Sequence, residues 1–259
     1  MNPEVSTSYD PLLVALSFAF AVIGSFVALT AASRLSPGNG RPSLINLATI
    51  GIALGGVGVW SMHFIGMLAL NMDVGSSYSM IETLASLAVV VVATSLTVAY
   101  AAKSPDNLVR LAIAGSLLGM SVVVMHYLGM FGLKFNGYIR WDYGIVVLSM
   151  VIAIVAATAA LWLAFNSPTL LRRFAASLAM GVAVCAMHYT GMYAAEFICT
   201  TENRVAIPQG PGYVSAFRLP SLVIVSTVLM VALLGMHQFF QGLVAKTSRD
   251  ASRAMRSAR

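Results

Sequence analysis

Trp60-Ser-Met-His-Phe-Ile-Gly-Met67 decides how this chain is read, because it is written three times. It returns as Val124-Met-His-Tyr-Leu-Gly-Met130 and again as Ala186-Met-His-Tyr-Thr-Gly-Met192, under the shared pattern Met-His-aromatic-x-Gly-Met. His63, His126 and His188 stand 63 and then 62 residues apart. Self-similarity at a fixed period is the signature of a repeat architecture and takes precedence over other readings. Three of the four histidines and six of the fifteen methionines lie in these copies, so the chemistry is concentrated where the repeats are.

If each copy is helical, Met67, Met130 and Met192 lie four residues after the histidines, one turn further along the same face. Gly66, Gly129 and Gly191 recur three residues after each histidine, and Gly56, Gly119 and Gly181 seven before it. Each copy thus presents a stripe of Gly, His, Gly and Met. Small residues allow close helix approach in a membrane, so imidazole and thioether are expected to converge where the backbones are nearest.

Hydrophobic residues make up 59% of the chain and charged residues 9%, with mean hydropathy +0.86. A soluble domain carries about a quarter charged residues; this is an integral membrane protein. Two cysteines, one within an apolar segment, give no disulfide framework. Met1 to Asp10 has no Lys or Arg, so it lacks the basic start of a cleavable signal peptide, and the first apolar segment is expected to be retained.

Seven apolar runs reach the roughly 20 residues needed to span a bilayer. They cover about 12–33, 44–70, 81–102, 108–133, 144–165, 173–198 and 219–244, separated by short breaks rich in turn formers such as Ser36-Pro-Gly-Asn-Gly40 and Asn166-Ser-Pro168. The longest break, Thr200 to Phe217, contains Pro208, Gly210, Pro211 and Gly212. Of the 15 basic residues, 11 fall after spans 1, 3 and 5 or in the tail: Arg34, Arg41, Lys103, Arg110, Arg172, Arg173, Lys246, Arg249, Arg253, Arg256 and Arg259. Only Lys134, Arg140, Arg204 and Arg218 fall on the other side. The positive-inside rule then puts the N-terminus outside and the tail in the cytoplasm. The net charge of +6 belongs at the anionic inner leaflet and calls for no nucleic-acid partner.

Each repeat holds two spans, so the three copies share one orientation and are related by an axis along the membrane normal. The expected fold is an all-α membrane protein: three parallel two-helix repeats plus a seventh helix. The histidines come 15 to 19 residues into spans 2, 4 and 6, which at about 1.5 Å per residue places all three at one depth near the outer leaflet. Asp10, Glu82 and Asp142 open spans 1, 3 and 5 on that same side. Such acids satisfy free amides and the helix dipole; a sharper expectation makes them partners that orient the imidazoles.

Ionisable groups inside a membrane are functional hypotheses by default. Imidazole suits copper, zinc, iron and nickel, while thioether sulfur selects Cu(I), so His63, Met67, His126, Met130, His188 and Met192 read as a copper site. Met62, Met125 and Met187, about 100° away, rank behind them and equally suit flexible packing. Cys185, three residues before His188, has no counterpart in the other copies and reads as a buried thiol. His237 follows Gly235-Met236 but falls near the opposite face. Lys246, Arg249, Arg253 and Arg256 form one stripe if the seventh helix continues, either a juxtamembrane anchor or a stalk to a cytoplasmic partner.

Met187-His188-Tyr189-Thr190 is the four-letter signature after which the bacterial MHYT domain is named. Met125-His126-Tyr127-Leu128 and Met62-His63-Phe64-Ile65 look like degenerate copies, and the chain resembles that family from about Tyr9 to Val244. The resemblance implies a sensor module of the bacterial inner membrane that binds copper through Met and His near the outer face. It also implies a diatomic ligand (oxygen, carbon monoxide or nitric oxide) and a cytoplasmic output, often cyclic-di-GMP synthase and phosphodiesterase domains, a histidine kinase or a DNA-binding domain. The module would occupy 1–245 and a basic juxtamembrane tail 246–259, with no output domain in the 15 residues after Val244 and no catalysis expected in this chain. Phe64 departs from the pattern by lacking the tyrosine hydroxyl, which argues against a mechanism needing three phenols.

Three rival readings make different demands. A zinc hydrolase with three His ligands needs an open coordination position and a nearby carboxylate. A copper carrier needs further Met or His on a path inward, hinted at only by Met236 and His237. A purely structural Gly/His/Met packing motif binds no metal.

Overall fold

The computed structural model describes residues 4–35, 43–216 and 218–257. Arg41, Arg259 and the expected turn from Ser36 to Gly40 lie outside them. Among the described residues, seven helices are long and apolar enough to cross a membrane: α1 Pro11–Ala32, α2 Leu44–Ala69, α3 Met80–Ala101, α4 Leu108–Gly132, α5 Tyr143–Asn166, α6 Leu170–Tyr193 and α7 Leu219–Ser257. Polar caps set the starts. Asp10, Asn107, Asp142 and Thr169 each accept a hydrogen bond from an amide of the first helical turn, which satisfies donors that have no intrahelical partner.

The sixth span ends earlier than expected. α6 stops at Tyr193, and Ala195–Cys199 is a strand, although the apolar run reads on to 198. An apolar run of that length does not distinguish helix from buried strand. Seven short strands among the described residues were not foreseen: β1 Thr7–Tyr9, β2 Leu70–Met72, β3 Ser76–Ser79, β4 Leu133–Phe135, β5 Gly137–Trp141, β6 Ala195–Cys199 and β7 Tyr213–Ser215. Their pairing follows the repeat. The strand entering each repeat pairs antiparallel with the strand leaving it, Tyr9 opposite Leu70, Tyr78 opposite Leu133 and Trp141 opposite Ala195. Each repeat is therefore strand–helix–helix–strand, stapled at one end. β7, from within the long Pro/Gly break, adds to the free edge of β3.

The helices close into a ring around α2, α4 and α6. α1 lies between α2 and α6, α3 between α2 and α4, and α5 between α4 and α6. The outer helices present large apolar side chains outward, for example Val92 and Leu96 on α3 and Val147, Val151 and Val155 on α5, as a lipid-facing surface requires. Lipid supplies no hydrophobic drive for helix association, so close packing at small residues and interhelical hydrogen bonds must hold the bundle. α1 and α2 touch at Gly24, where a Cβ would stand 2.3 Å from the Gly58 amide nitrogen.

α2 differs from its two equivalents in its middle, Gly51–Ser61, which is π-helical. His63 lies 20 residues after the cap Ser43, whereas His126 and His188 lie 19 after Asn107 and Thr169. The wider π turn takes up the additional residue and returns His63 to the depth and face of the other two. α7 packs against α2, where Thr227 Oγ1 donates to Ser61 Oγ at 2.8 Å. It runs unbroken to Ser257.

Candidate metal centre

The three histidines sit five or six residues before the ends of α2, α4 and α6, about 9 Å in from the strand-capped end. All three are fully buried. Their Nδ1 atoms form a triangle: His63 to His126 3.1 Å, His63 to His188 3.2 Å, His126 to His188 3.3 Å. The rings meet edge to face, with interplanar angles of 74°, 90° and 81°.

That triangle is frustrated as a set of neutral imidazoles. Each Nδ1 carries either a proton or a lone pair. With three nitrogens in mutual contact, at most two of the three pairs can be donor to acceptor; the remaining pair faces like to like. A cation shared by three lone pairs removes the conflict. The dimensions fit one: the centre of the triangle is about 1.9 Å from each nitrogen, so a point about 2.0–2.1 Å from all three, the usual metal–imidazole distance, lies roughly 0.8–1 Å off their plane. Among the described His, Cys, Asp and Glu residues, these three are the group whose ligand atoms cluster closely enough to hold an ion.

The other ring nitrogens explain the glycine three residues after each histidine. A Cβ on Gly129 would stand 2.3 Å from His63 Nε2, one on Gly191 2.4 Å from His126 Nε2, and one on Gly66 2.3 Å from His188 Nε2. Each imidazole therefore lies over the glycine of the next copy, and the last lies over the first. None of the three Nε2 atoms has a hydrogen-bond partner among the described residues. The glycines seven residues before the histidines do something else. Gly119 and Gly181 face the outer helices, at Ile154 of α5 and Val22 of α1, and Gly56 faces Met230 of α7. The expected single stripe is thus divided, with only its +3 glycines at the imidazoles.

The acids stay away from the rings. Asp10 and Asp142 cap α1 and α5, and Glu82, in the first turn of α3, is bonded to Ser79 and, at 3.0 Å, to Lys134 Nζ. They do the helix-start work of the simpler expectation instead of orienting imidazoles. Met67, Met130 and Met192 are buried toward the strand caps, and Met62, Met125 and Met187 are buried as well. Cys185 and Cys199 are free thiols. His237 pairs with Gln241 along α7 at 3.0 Å, apart from the triad.

A second threefold set went unread in the sequence. Tyr127 bonds Ser149 at 2.8 Å and Tyr189 bonds Ser17 at 3.0 Å, tying α4 to α5 and α6 to α1. Phe64 has no hydroxyl to offer, but Trp60 Nε1, one turn earlier, donates to Ser86 Oγ at 3.1 Å and Thr83 O at 3.0 Å. Ser17, Ser86 and Ser149 are fully buried and each lies seven residues after a helix cap, Asp10, Ser79 and Asp142. That spacing was the available signal.

The model of a known family, described as "Bacterial signalling protein N terminal repeat" (MHYT), matches residues 1–44, 56–114, 119–177 and 181–247. Among curated proteins, the chain is 36% identical over 232 residues to the bifunctional diguanylate cyclase/cyclic di-GMP phosphodiesterase MucR of Pseudomonas aeruginosa, covering 88% of this chain and 33% of that one. It is 28% identical to the signaling protein YkoW of Bacillus subtilis, covering 75% and 25%. It is 32% identical to the cyclic di-GMP phosphodiesterase NbdA of Pseudomonas aeruginosa, covering 72% and 24%. The chain spans a quarter to a third of these relatives and corresponds to their membrane signalling portion, not their catalytic one. No solved structure matches it. With its repeats matched along nearly the whole length, the chain belongs to the MHYT family of multi-pass bacterial inner-membrane signalling proteins.

Proposed function

We propose that this chain senses a diatomic gas or the redox state at a copper ion held by His63, His126 and His188 near the outer face, and passes the response along α7 to a cytoplasmic output in cyclic-di-GMP turnover. The observation that carries the reading is the buried Nδ1 triangle with edges of 3.1–3.3 Å. Copper, when bound, would supply a redox-active centre able to take a small additional ligand; the buried methionines around the triad favour it over harder metals. Met67, Met130 and Met192 are the candidate sulfur ligands, with Met62, Met125 and Met187 behind them.

The protein's own part is positional. Burial excludes water and competing ligands from the imidazoles. Because each ring rests on the next copy's glycine, a displacement of one inner helix moves its neighbour. Ser61, two residues before His63, connects α2 to α7 through Thr227, and Arg34 at the end of α1 donates to Gln238 O at 2.9 Å and Gln238 Oε1 at 2.8 Å. Movement at the triad thus has polar contacts through which to shift α7. The tail, 246–259, serves as the basic linker to the output, with the N-terminus outside by the distribution of Lys and Arg.

Zinc is the second reading, favoured by the three-imidazole donor set. Its hydrolase form loses support because Asp10, Glu82 and Asp142 are engaged at helix starts. The test is metal content by plasma mass spectrometry on detergent-purified protein beside the His63→Ala/His126→Ala/His188→Ala variant. About one copper per chain, lost in the variant, is expected. Zinc would move the assignment to the second reading, and no metal in copper-loaded protein would sink the sensor mechanism.

A further inference from the structure

One turn before the histidines, on the side away from the strand caps, the three inner helices leave a chamber of about 40 Å³. Its roof is threefold, formed by Val59, Val122 and Val184, each four residues before a histidine of the triad, with Met187 beside them. One wall is α5, which contributes only alanines. The walls carry a single hydroxyl, Thr94 Oγ1, and it already donates to Val90 O at 2.6 Å.

The size and lining select the occupant. A water needs about 10–15 Å³ and two to four polar partners, while an apolar cavity near 150 Å³ holds benzene. This chamber is larger than the first and well below the second, and it offers water almost nothing to bond. An apolar diatomic, or an atom such as xenon, fits both constraints. Access is also legible: Ala156, Ala160 and Ala183 line the chamber and are part-exposed on α5 and α6, whose outer surfaces carry Val151, Val155 and Val182 toward lipid. Apolar gases partition into hydrocarbon, so the bilayer is the reservoir.

We propose that this chamber is a binding site for a small apolar gas molecule, filled from the lipid through the alanine seam between α5 and α6 and separated from the inner side of the imidazole triad by its valine roof. The link to signalling rests on the triad being the gas-responsive centre; the site itself does not. Val122→Ile places one added methyl group inside the chamber, with Val184→Ile as the alternative if that protein is not monodisperse. The experiment is anomalous diffraction from xenon-pressurised crystals of the full chain, wild type and variant. A xenon peak enclosed by Val59, Val122 and Val184, lost or reduced at least fivefold in the isoleucine variant, is expected. No peak there, an undiminished peak in the variant, or ordered water filling the chamber would overturn the assignment. A peak in a protein that binds no metal would uphold the chamber while removing the proposed sensor. Metal-loaded protein that responds to gas at the wild-type rate in the isoleucine variant would overturn the route.

Discussion

Gly129→Ala separates the proposed copper centre from the fold. The added Cβ would stand 2.3 Å from His63 Nε2 and 2.9 Å from its Cδ2. Ordinary contact begins near 3.4 Å, so the imidazole must retreat by about 1.1 Å, against the roughly 0.2 Å tolerance of a metal–ligand distance. His63 forms two of the three edges of the triangle, at 3.1 and 3.2 Å, and both open together. Loss of one of three ligands is expected to weaken copper binding at least 100-fold, which is about 2.7 kcal/mol. Helix propensity works in the opposite direction, since Ala is favoured over Gly by roughly 0.5–1 kcal/mol within a helix. The variant should therefore remain folded while it loses the ion. The assay is a copper titration against a competing chelator in detergent, with circular dichroism to follow the helices. Gly56→Ala is the control: its Cβ would come tightly only against the flexible Met230 Sδ at 3.2 Å, with Leu87 and Val91 in ordinary contact at 3.7 Å, and affinity within about twofold of wild type is expected. Wild-type affinity in a well-folded Gly129→Ala protein would refute the claim that the imidazoles are held by the glycines.

The Tyr127–Ser149 bond is expected to show a coupling of about 0.6–1.7 kcal/mol in a double-mutant cycle of Tyr127→Phe and Ser149→Ala, read by thermal unfolding in detergent; additive effects would remove it from the list of interactions that hold α4 to α5. Gly24→Ala should be far more damaging than Gly129→Ala, because its Cβ would meet backbone, with Gly58 N at 2.3 Å and Ala53 O at 2.5 Å. Separating α1 from α2 should cost about 3 kcal/mol or more and abolish a monodisperse peak in size-exclusion chromatography, whereas a normal peak would mean that the helices are not in such close contact.

The number and approximate limits of the spans were legible because length and apolarity alone specify a membrane helix, and parity then put His63, His126 and His188 at one depth. Their convergence on Nδ1 was only partly legible. Spacing gives a face, but whether equivalent faces meet at an axis depends on the order of helices around the ring. The role of Gly66, Gly129 and Gly191 was hidden for the same reason, since the side chain each accommodates comes from a neighbouring copy 62 or more residues away. The strands were missed because three-residue pairings such as Thr7–Tyr9 with Leu70–Met72 lie below any periodicity signal. Asp10, Glu82 and Asp142 mark the limit of reading chemistry from shared depth: a carboxylate already bonded at its own helix start, as a cap or to Ser79 and Lys134, has no need of a distant imidazole. The Ser17, Ser86 and Ser149 set was in plain sight at a constant offset, but copy one answers it with Trp60 in place of a tyrosine, and a motif search keyed to one residue type passes over it.

The order in which imidazoles lie over glycines, 63 on 129, 126 on 191 and 188 on 66, has a consequence for how such a protein can arise. The unit that builds the centre is not the unit duplicated in the sequence; it straddles the junction between one copy and the next. A contact of that kind is head-to-tail, and a head-to-tail contact that rotates by a third of a turn closes after three members. A single ancestral hairpin carrying one His and one Gly, assembled as a trimer, would make the same centre with three identical junctions. Fusion into one chain leaves the geometry unchanged but frees the copies to diverge, and the first copy, with its π-helical stretch and its contact with the seventh helix, is where this protein has used that freedom.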